Sequence, residues 1–212
     1  MVVTRIIRLL CLIVGLLSIA FSATADSLDT ELTVFGAYRF GGTFDVQTSD
    51  AAYEMQDSSS FGVIWDRRYE ANTQWELFYS QQRSEVEISQ PAGIDPIVDV
   101  DLYTLQLGGT YLGEGEKVRP YLAATIGGTH IKAESSGSKS DTFWSGSIGL
   151  GIKLSPNSRI GIRLEARAHA VLMNNSTDLF CRTGPDLNVC AISVEGDLFN
   201  QVETFAGVVV RF

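Results

Sequence analysis

Between Arg159 and Leu172 the chain reads Arg-Ile-Gly-Ile-Arg-Leu-Glu-Ala-Arg-Ala-His-Ala-Val-Leu. One parity holds Ile160, Ile162, Leu164, Ala166, Ala168, Ala170 and Leu172; the other holds Arg159, Gly161, Arg163, Glu165, Arg167 and His169. Side chains of a strand alternate between faces, so this stretch folds as a strand with one apolar and one charged face. A helical period would place Arg163 and Arg167 among Ile160 and Leu164. A soluble sheet buries its apolar face against a second layer, but nothing after residue 26 reads as a helix that would supply one. The apolar face is therefore expected to meet lipid.

The N-terminus accounts for how the chain reaches a membrane. Arg5 and Arg8 precede the apolar run Leu9 to Phe21, and Ala23-Thr24-Ala25 supplies the small residues of a cleavage site. The run is shorter than the ~20 residues of a spanning helix. Residues 1–25 are expected to be a signal peptide, and residues 26–212 the mature domain. Cys11 lies inside the run rather than after it, which argues against a lipoprotein. Net charge is −9. No basic surface invites nucleic acid, so none is expected as a partner.

Seven more stretches alternate as the opening one does. They run about Glu31 to Thr43, Ser58 to Tyr69, Thr73 to Arg83, Val100 to Leu112, Val118 to Ala133, Asp141 to Leu154 and Phe199 to Phe212. On the fifth, Tyr121 and Leu122 compete for the apolar side. Long polar links follow the odd-numbered strands: Asp45 to Asp57, Ser84 to Asp99, Glu134 to Ser140 and Met173 to Leu198. Short turns follow strands two, four and six. Outer-membrane barrels have this asymmetry of short periplasmic turns and long external loops. The expected fold is an all-β, eight-stranded, antiparallel up-and-down transmembrane β-barrel, closed because lipid tolerates no unpaired strand edge. Trp65, Tyr69, Trp75 and Tyr111 gather near the short turns, and Tyr38, Phe40, Tyr79 and Trp144 near the other ends. Two interfacial aromatic girdles are expected.

The charged parity then faces the lumen. It carries Arg39, Asp66, Glu76, Lys153, Arg163, Glu165, Arg167, Glu203 and Arg211. Strands one, seven and eight adjoin in a closed barrel, so Arg39, Glu203, Glu165 and Arg163 are expected to share one ion-pair network. Buried charges must be paired, because desolvation costs several kcal/mol each. A salt-bridged plug fixing the barrel and a gated narrow pore both fit these residues.

The leader, the eight strands and the last strand Glu203-Thr-Phe-Ala-Gly-Val-Val-Val-Arg-Phe212 resemble small bacterial outer-membrane barrels. That group includes the OmpA transmembrane domain, OmpX, OmpW-like proteins and the wider porin-like barrels. Arg119-Pro-Tyr-Leu-Ala-Ala-Thr-Ile-Gly-Gly128 is similar to their fifth strand, with Ala123 where a glycine is frequent. The resemblance implies that Phe212, with Val210 and Val208, is the signal read by the barrel assembly machinery. It also implies outer-membrane lipid and lipopolysaccharide as surroundings. Because the chain stops at Phe212, no peptidoglycan-binding domain is expected after the barrel. Lipid A deacylases of this class carry a serine two residues after the catalytic histidine. Lys132 and Val171 stand there after His130 and His169, so no enzyme activity is expected.

Cys181 and Cys190 flank eight residues in the last long link, and in an exported chain they are expected to form a disulfide. Without a nearby histidine they make no good metal site. No metal and no cofactor is expected. The many apolar residues of Met173 to Leu198 suggest an ordered extension or a surface for an extracellular partner. The expected role is structural or surface-interacting, through the external loops in the bacterial outer membrane; the alternative is a narrow porin-like channel for small solutes. A soluble lipocalin-type barrel would need the charged parity outside, which the terminal Phe and lopsided loops oppose.

Overall fold

The computed structural model describes residues 29–41, 43–44, 53–88, 97–133, 140–172, 181–183, 188–190 and 198–212. The predicted leader and most of the long links lie outside these residues. Eight strands close into a barrel: β1 Thr30–Phe40, β2 Ser58–Glu70, β3 Thr73–Ile88, β4 Ile97–Leu112, β5 Val118–Ala133, β6 Ser140–Leu154, β7 Ile160–Leu172 and β8 Leu198–Arg211. Every strand pairs antiparallel with its sequence neighbours, and β8 pairs with β1. Where the sheet closes, Thr30 and Phe212 exchange backbone hydrogen bonds of 3.1 and 2.9 Å.

Following paired residues once around the barrel leads from Arg39 through Glu203, Arg167, Gly149, Ala123, Thr110 and Gln74 to Arg68. The Arg68 amide then bonds to the Asp29 carbonyl, ten residues down the chain from Arg39. Such a stagger tilts the strands by ~40° to the barrel axis. Inward residues of neighbouring strands are thereby brought into shared tiers.

The two parities separate as physics requires. The outer wall exposes Ile126, Ile148 and Leu150, each more than 60% accessible, and lipid is the solvent that accepts such a surface. Aromatic rings flank it at both ends: Tyr69 meets Trp75 at 5.8 Å near the short turns, and Tyr38 meets Phe40 at 5.3 Å near the long links. Inside, Phe35 stacks on Phe78 and Phe205 beside Ile64. Both cross-strand partners of Phe35 are glycines, Gly62 and Gly207. A Cβ on Gly62 would lie 2.5 Å from the Phe35 ring, so the small residues make room for the large one.

Two expectations need correction. β3 runs on to Ile88 and β4 begins at Ile97, so half of the expected loop Ser84 to Asp99, residues 84–88 and 97–99, is strand, in register from Ser84↔Val100 to Glu87↔Ile97. Glu85 and Asp99 oppose each other there and are exposed, so the acidic composition marks water above the membrane and does not end the strands. Likewise the expected link Asp45 to Asp57 contains a strand, Tyr53–Met55, paired with Thr43–Phe44 and with β3.

Candidate functional site

β7 delivers the central charges because its alternation aims every second residue inward. Arg163 donates to Asp66 (2.9 Å), to Glu76 and Glu165 (2.8 Å each), and to the Tyr121 hydroxyl (2.7 Å). Arg167 donates to Glu76 at 2.6 Å and to Glu165 at 2.5 Å. Glu76 and Glu165 thus each use both oxygens to join the two arginines, and Thr110 and Tyr121 donate to the same carboxylates. Nearer the short turns, Lys153 donates to Glu31 (2.6 Å), Gln74 (2.8 Å) and Asp66 (3.4 Å). Arg211 donates to Glu31 at 3.0 Å and to the carbonyls of Ser155 and Ser158 in the β6–β7 turn. Asp66, bonded to both Lys153 and Arg163, makes this one continuous cluster.

A second, smaller cluster lies toward the long links. Arg39 pairs with Glu203 and donates to Gln82 and Ser80 at 3.0 Å each. Ser60 donates to Glu203 at 3.1 Å, and His169 Nε2 stands 3.8 Å from that carboxylate. On the opposite wall, Thr104, Gln106, Thr125, Thr129, Ser145 and Ser147 bond to one another, and Ser147 accepts from Arg167. The expected single network of Arg39, Glu203, Glu165 and Arg163 is therefore two among the described residues. Phe35, Ile64, Phe78 and Phe205 occupy the positions on β1, β2, β3 and β8 that separate them. The Arg167 guanidinium packs over the Phe78 ring at 4.3 Å and that of Arg163 over Tyr121 at 4.6 Å, so the rings help to hold the cations.

The inward charges balance. Arg39, Lys153, Arg163, Arg167 and Arg211 face Glu31, Asp66, Glu76, Glu165 and Glu203, and all ten are buried. Arg163, Asp66, Glu76 and Glu203 have no accessible surface. Charges removed from water this completely are tolerable only when paired, and removing one member strands its partners; Asp66 Oδ1, Glu203 Oε1 and Arg211 Nη2 are the charged-group atoms left without a hydrogen bond among the described residues. The arrangement holds a shape and, among the described residues, leaves the lumen without net fixed charge.

All nine residues assigned to the lumen from the sequence face inward. Glu31 and Tyr121 belong with them and were missed. Glu31 shares the parity of Thr33 and Arg39. The hydroxyls of Thr125 and Thr129 set the inward parity of β5, and through Ala123 that parity reaches Tyr121. Val208 is exposed on the outer wall, and β8 pairs with β1 through Val208↔Val34 and Val210↔Leu32. Cys181–Thr183 and Asn188–Cys190 form a separate two-stranded sheet in which Cys181 is the register partner of Cys190.

The family model for the outer membrane protein beta-barrel domain matches residues 9–194. The chain belongs to this outer-membrane β-barrel family. Solved barrels share its fold. Neisserial surface protein A, NspA, aligns with a TM-score of 0.61 at 14% identity, covering 89% of this chain and 100% of NspA. OprG of Pseudomonas aeruginosa aligns with a TM-score of 0.56 at 12% identity, covering 87% of this chain and 96% of OprG. A search of curated proteins finds no match to the sequence. Family membership makes the lipid-facing reading of the outer wall plain: this is a bacterial outer-membrane barrel, crossing the bilayer with its strands.

Proposed function

We propose that this outer-membrane barrel is a closed, non-enzymatic anchor whose external loops carry a structural or surface-interaction role. The observation that carries the reading is the charge-balanced cluster built on Arg163, Glu165 and Arg167. A solute channel needs water to pass these three side chains, and they are buried against partners from β2, β3 and β5. An eight-stranded barrel is just wide enough for side chains to fill it.

The same reading assigns the remaining parts. Residues 1–25 are a cleaved signal peptide, and Phe212 with Val210 and Val208 presents the last strand to the barrel assembly machinery. Outer-membrane lipid and lipopolysaccharide surround the apolar wall. Cys181 and Cys190 close a disulfide in the last loop. The register supports this, since Cys181 is the partner of Cys190 in an antiparallel pair. The loop around that pair is where an extracellular partner would bind.

The test is a deletion strain complemented either with the intact chain or with one in which residues 173–197 are replaced by a short turn. A loop-borne role predicts equal barrel levels in the membrane but loss of the surface phenotype in the shortened chain. Rescue of that phenotype by the shortened chain would contradict it.

A further inference from the structure

Near the long links, three rows of outward side chains lie one above another across β3, β4, β5 and β6. The lowest is Tyr79, Leu105, Gly128 and Trp144, paired in register and apolar. The next is Gln81, Tyr103, His130 and Thr142. In it the Gln81 amide donates to the Tyr103 hydroxyl at 3.4 Å, and His130 Nδ1 shares a 2.9 Å hydrogen bond with the Thr142 hydroxyl. The third is Arg83, Asp101, Lys132 and Ser140. Alternate residues of a strand share a face, so all three rows belong to the wall that meets lipid. Tyr79 and Trp144 mark the level at which the hydrocarbon ends.

The third row is built around Asp101. On one side Arg83 donates its Nε–H to the Asp101 carboxylate at 2.9 Å while remaining 70% exposed. On the other side stands Lys132, exposed. The Asp101 side chain is only 5% exposed between them. Two strand spacings, ~10 Å, separate the backbones of the two cations, a gap that both long side chains can close on one anion. Two cations against one carboxylate leave the row net positive. Among the described residues, Arg83 and Lys132 are the only lysine or arginine on the outer wall at this end, and β7 and β8 end there on Leu172 and Leu198. One row further out Glu85 opposes Asp99, both exposed. Carboxylates there repel an anion arriving from water, so the two cations are reached along the wall, from the membrane.

From the membrane outward the rows are apolar, then hydroxyl- and amide-bearing, then cationic. A lipid presents its acyl chains, its linkages and its phosphate in that same order. The external end faces the outer leaflet, whose lipid is lipopolysaccharide. We infer that this strip of the β3–β6 wall binds the phosphorylated headgroup of one lipopolysaccharide molecule. Arg83 and Lys132 hold a phosphate, the Gln81 to Thr142 row meets the amide and ester linkages, and Tyr79 and Trp144 lie against the acyl chains. The inference rests on lipopolysaccharide being the surrounding outer-leaflet lipid, and it assigns that lipid a fixed site. The strip lies outside residues 173–197, so it is independent of the loop given the extracellular partner.

Native mass spectrometry of the protein purified from the outer membrane, delipidated in detergent and titrated with purified lipopolysaccharide, reads the site. Each variant is first shown to keep the heat-modifiable migration of the wild type. Arg83→Ala and Lys132→Ala should each weaken binding about 3-fold, and together roughly 10-fold. Lipopolysaccharide stripped of its phosphates should bind the wild type as weakly as the intact lipid binds the double variant. Arg67, in register with Trp75 on the same wall near the short turns, is the control, and Arg67→Ala should change nothing. The chain shortened at residues 173–197 should bind as the intact chain does, so failure of the loop-borne role is a separate result. Binding that survives in the double variant, that Arg67→Ala weakens equally, or that phosphatidylglycerol displaces as well as lipopolysaccharide does, would overturn the site alone. Absence of binding by the wild type would overturn both the site and the reading of the surrounding lipid.

Discussion

In the half of the lumen nearest the short turns, eight buried charges and Tyr121 form one cluster in which carboxylates bridge cations through both oxygens. In the outer half, the same strands contribute a single ion pair among the described residues, Arg39–Glu203, set among hydroxyls and amides beneath an apolar mouth. Both halves are filled, but by different means. The inner half depends on pairing, so its members fall together. The outer half depends on neutral hydrogen bonds and on burial, so its members are separable. The tier of Phe35, Phe78 and Phe205 separates the two ion clusters on β1, β3 and β8, while the Arg167–Ser147 bond joins the inner cluster to the hydroxyl tier on the opposite wall.

The contrast predicts a ranked series of losses in the barrel's resistance to thermal unfolding, read from heat-modifiable migration in detergent gels. Arg163→Ala should be the most damaging, at about 3–5 kcal/mol, because Asp66, Glu76 and Glu165 lose their shared cation while buried. Ile148→Arg on the lipid face should cost about 2–4 kcal/mol in a bilayer and little in a water-filled surround, which also tests which side meets lipid. Glu203→Gln should cost about 2–3 kcal/mol, since a neutral amide still accepts from Arg39 and Ser60 but the buried Arg39 loses its counter-charge. Arg68→Ala breaks the partly exposed pair with Asp29 and should change stability by less than about 1 kcal/mol. Should the double variant Arg163→Ala with Glu203→Gln depart from the sum of the single costs by more than about 0.5 kcal/mol, the two ion clusters would be one network.

Much of this was legible because β-structure writes its faces into alternating letters. The alternation on β7 names Arg163, Glu165 and Arg167 as one face, and the link lengths name the outer end. What escaped the sequence reading lay where a local signal had two meanings. Acidic residues and two prolines between Ser84 and Asp99 suggested a loop, yet above the membrane a solvated strand tolerates the same charges. Tyr121 was obscured by Leu122 until the threonines further along β5 fixed the parity. The buried Met55 was hidden for a different reason. Met55 opposes Val86 while Ser60 opposes Gln82, so one extra residue reverses the parity, and nothing in the letters around Gln56 and Asp57 announces it. The split of the ion network likewise depends on the stagger of the closed barrel, which pairwise neighbourhood does not reveal.

The most direct test of the central claim is single-channel conductance of the refolded barrel, residues 26–212, in a planar bilayer at neutral pH. Arg163→Ala and Glu165→Ala should be recorded beside it. A closed, charge-balanced lumen predicts silence from wild-type protein shown to be inserted and folded. Steady wild-type conductance that shifts with either substitution would contradict it and make β7 the lining of a pore.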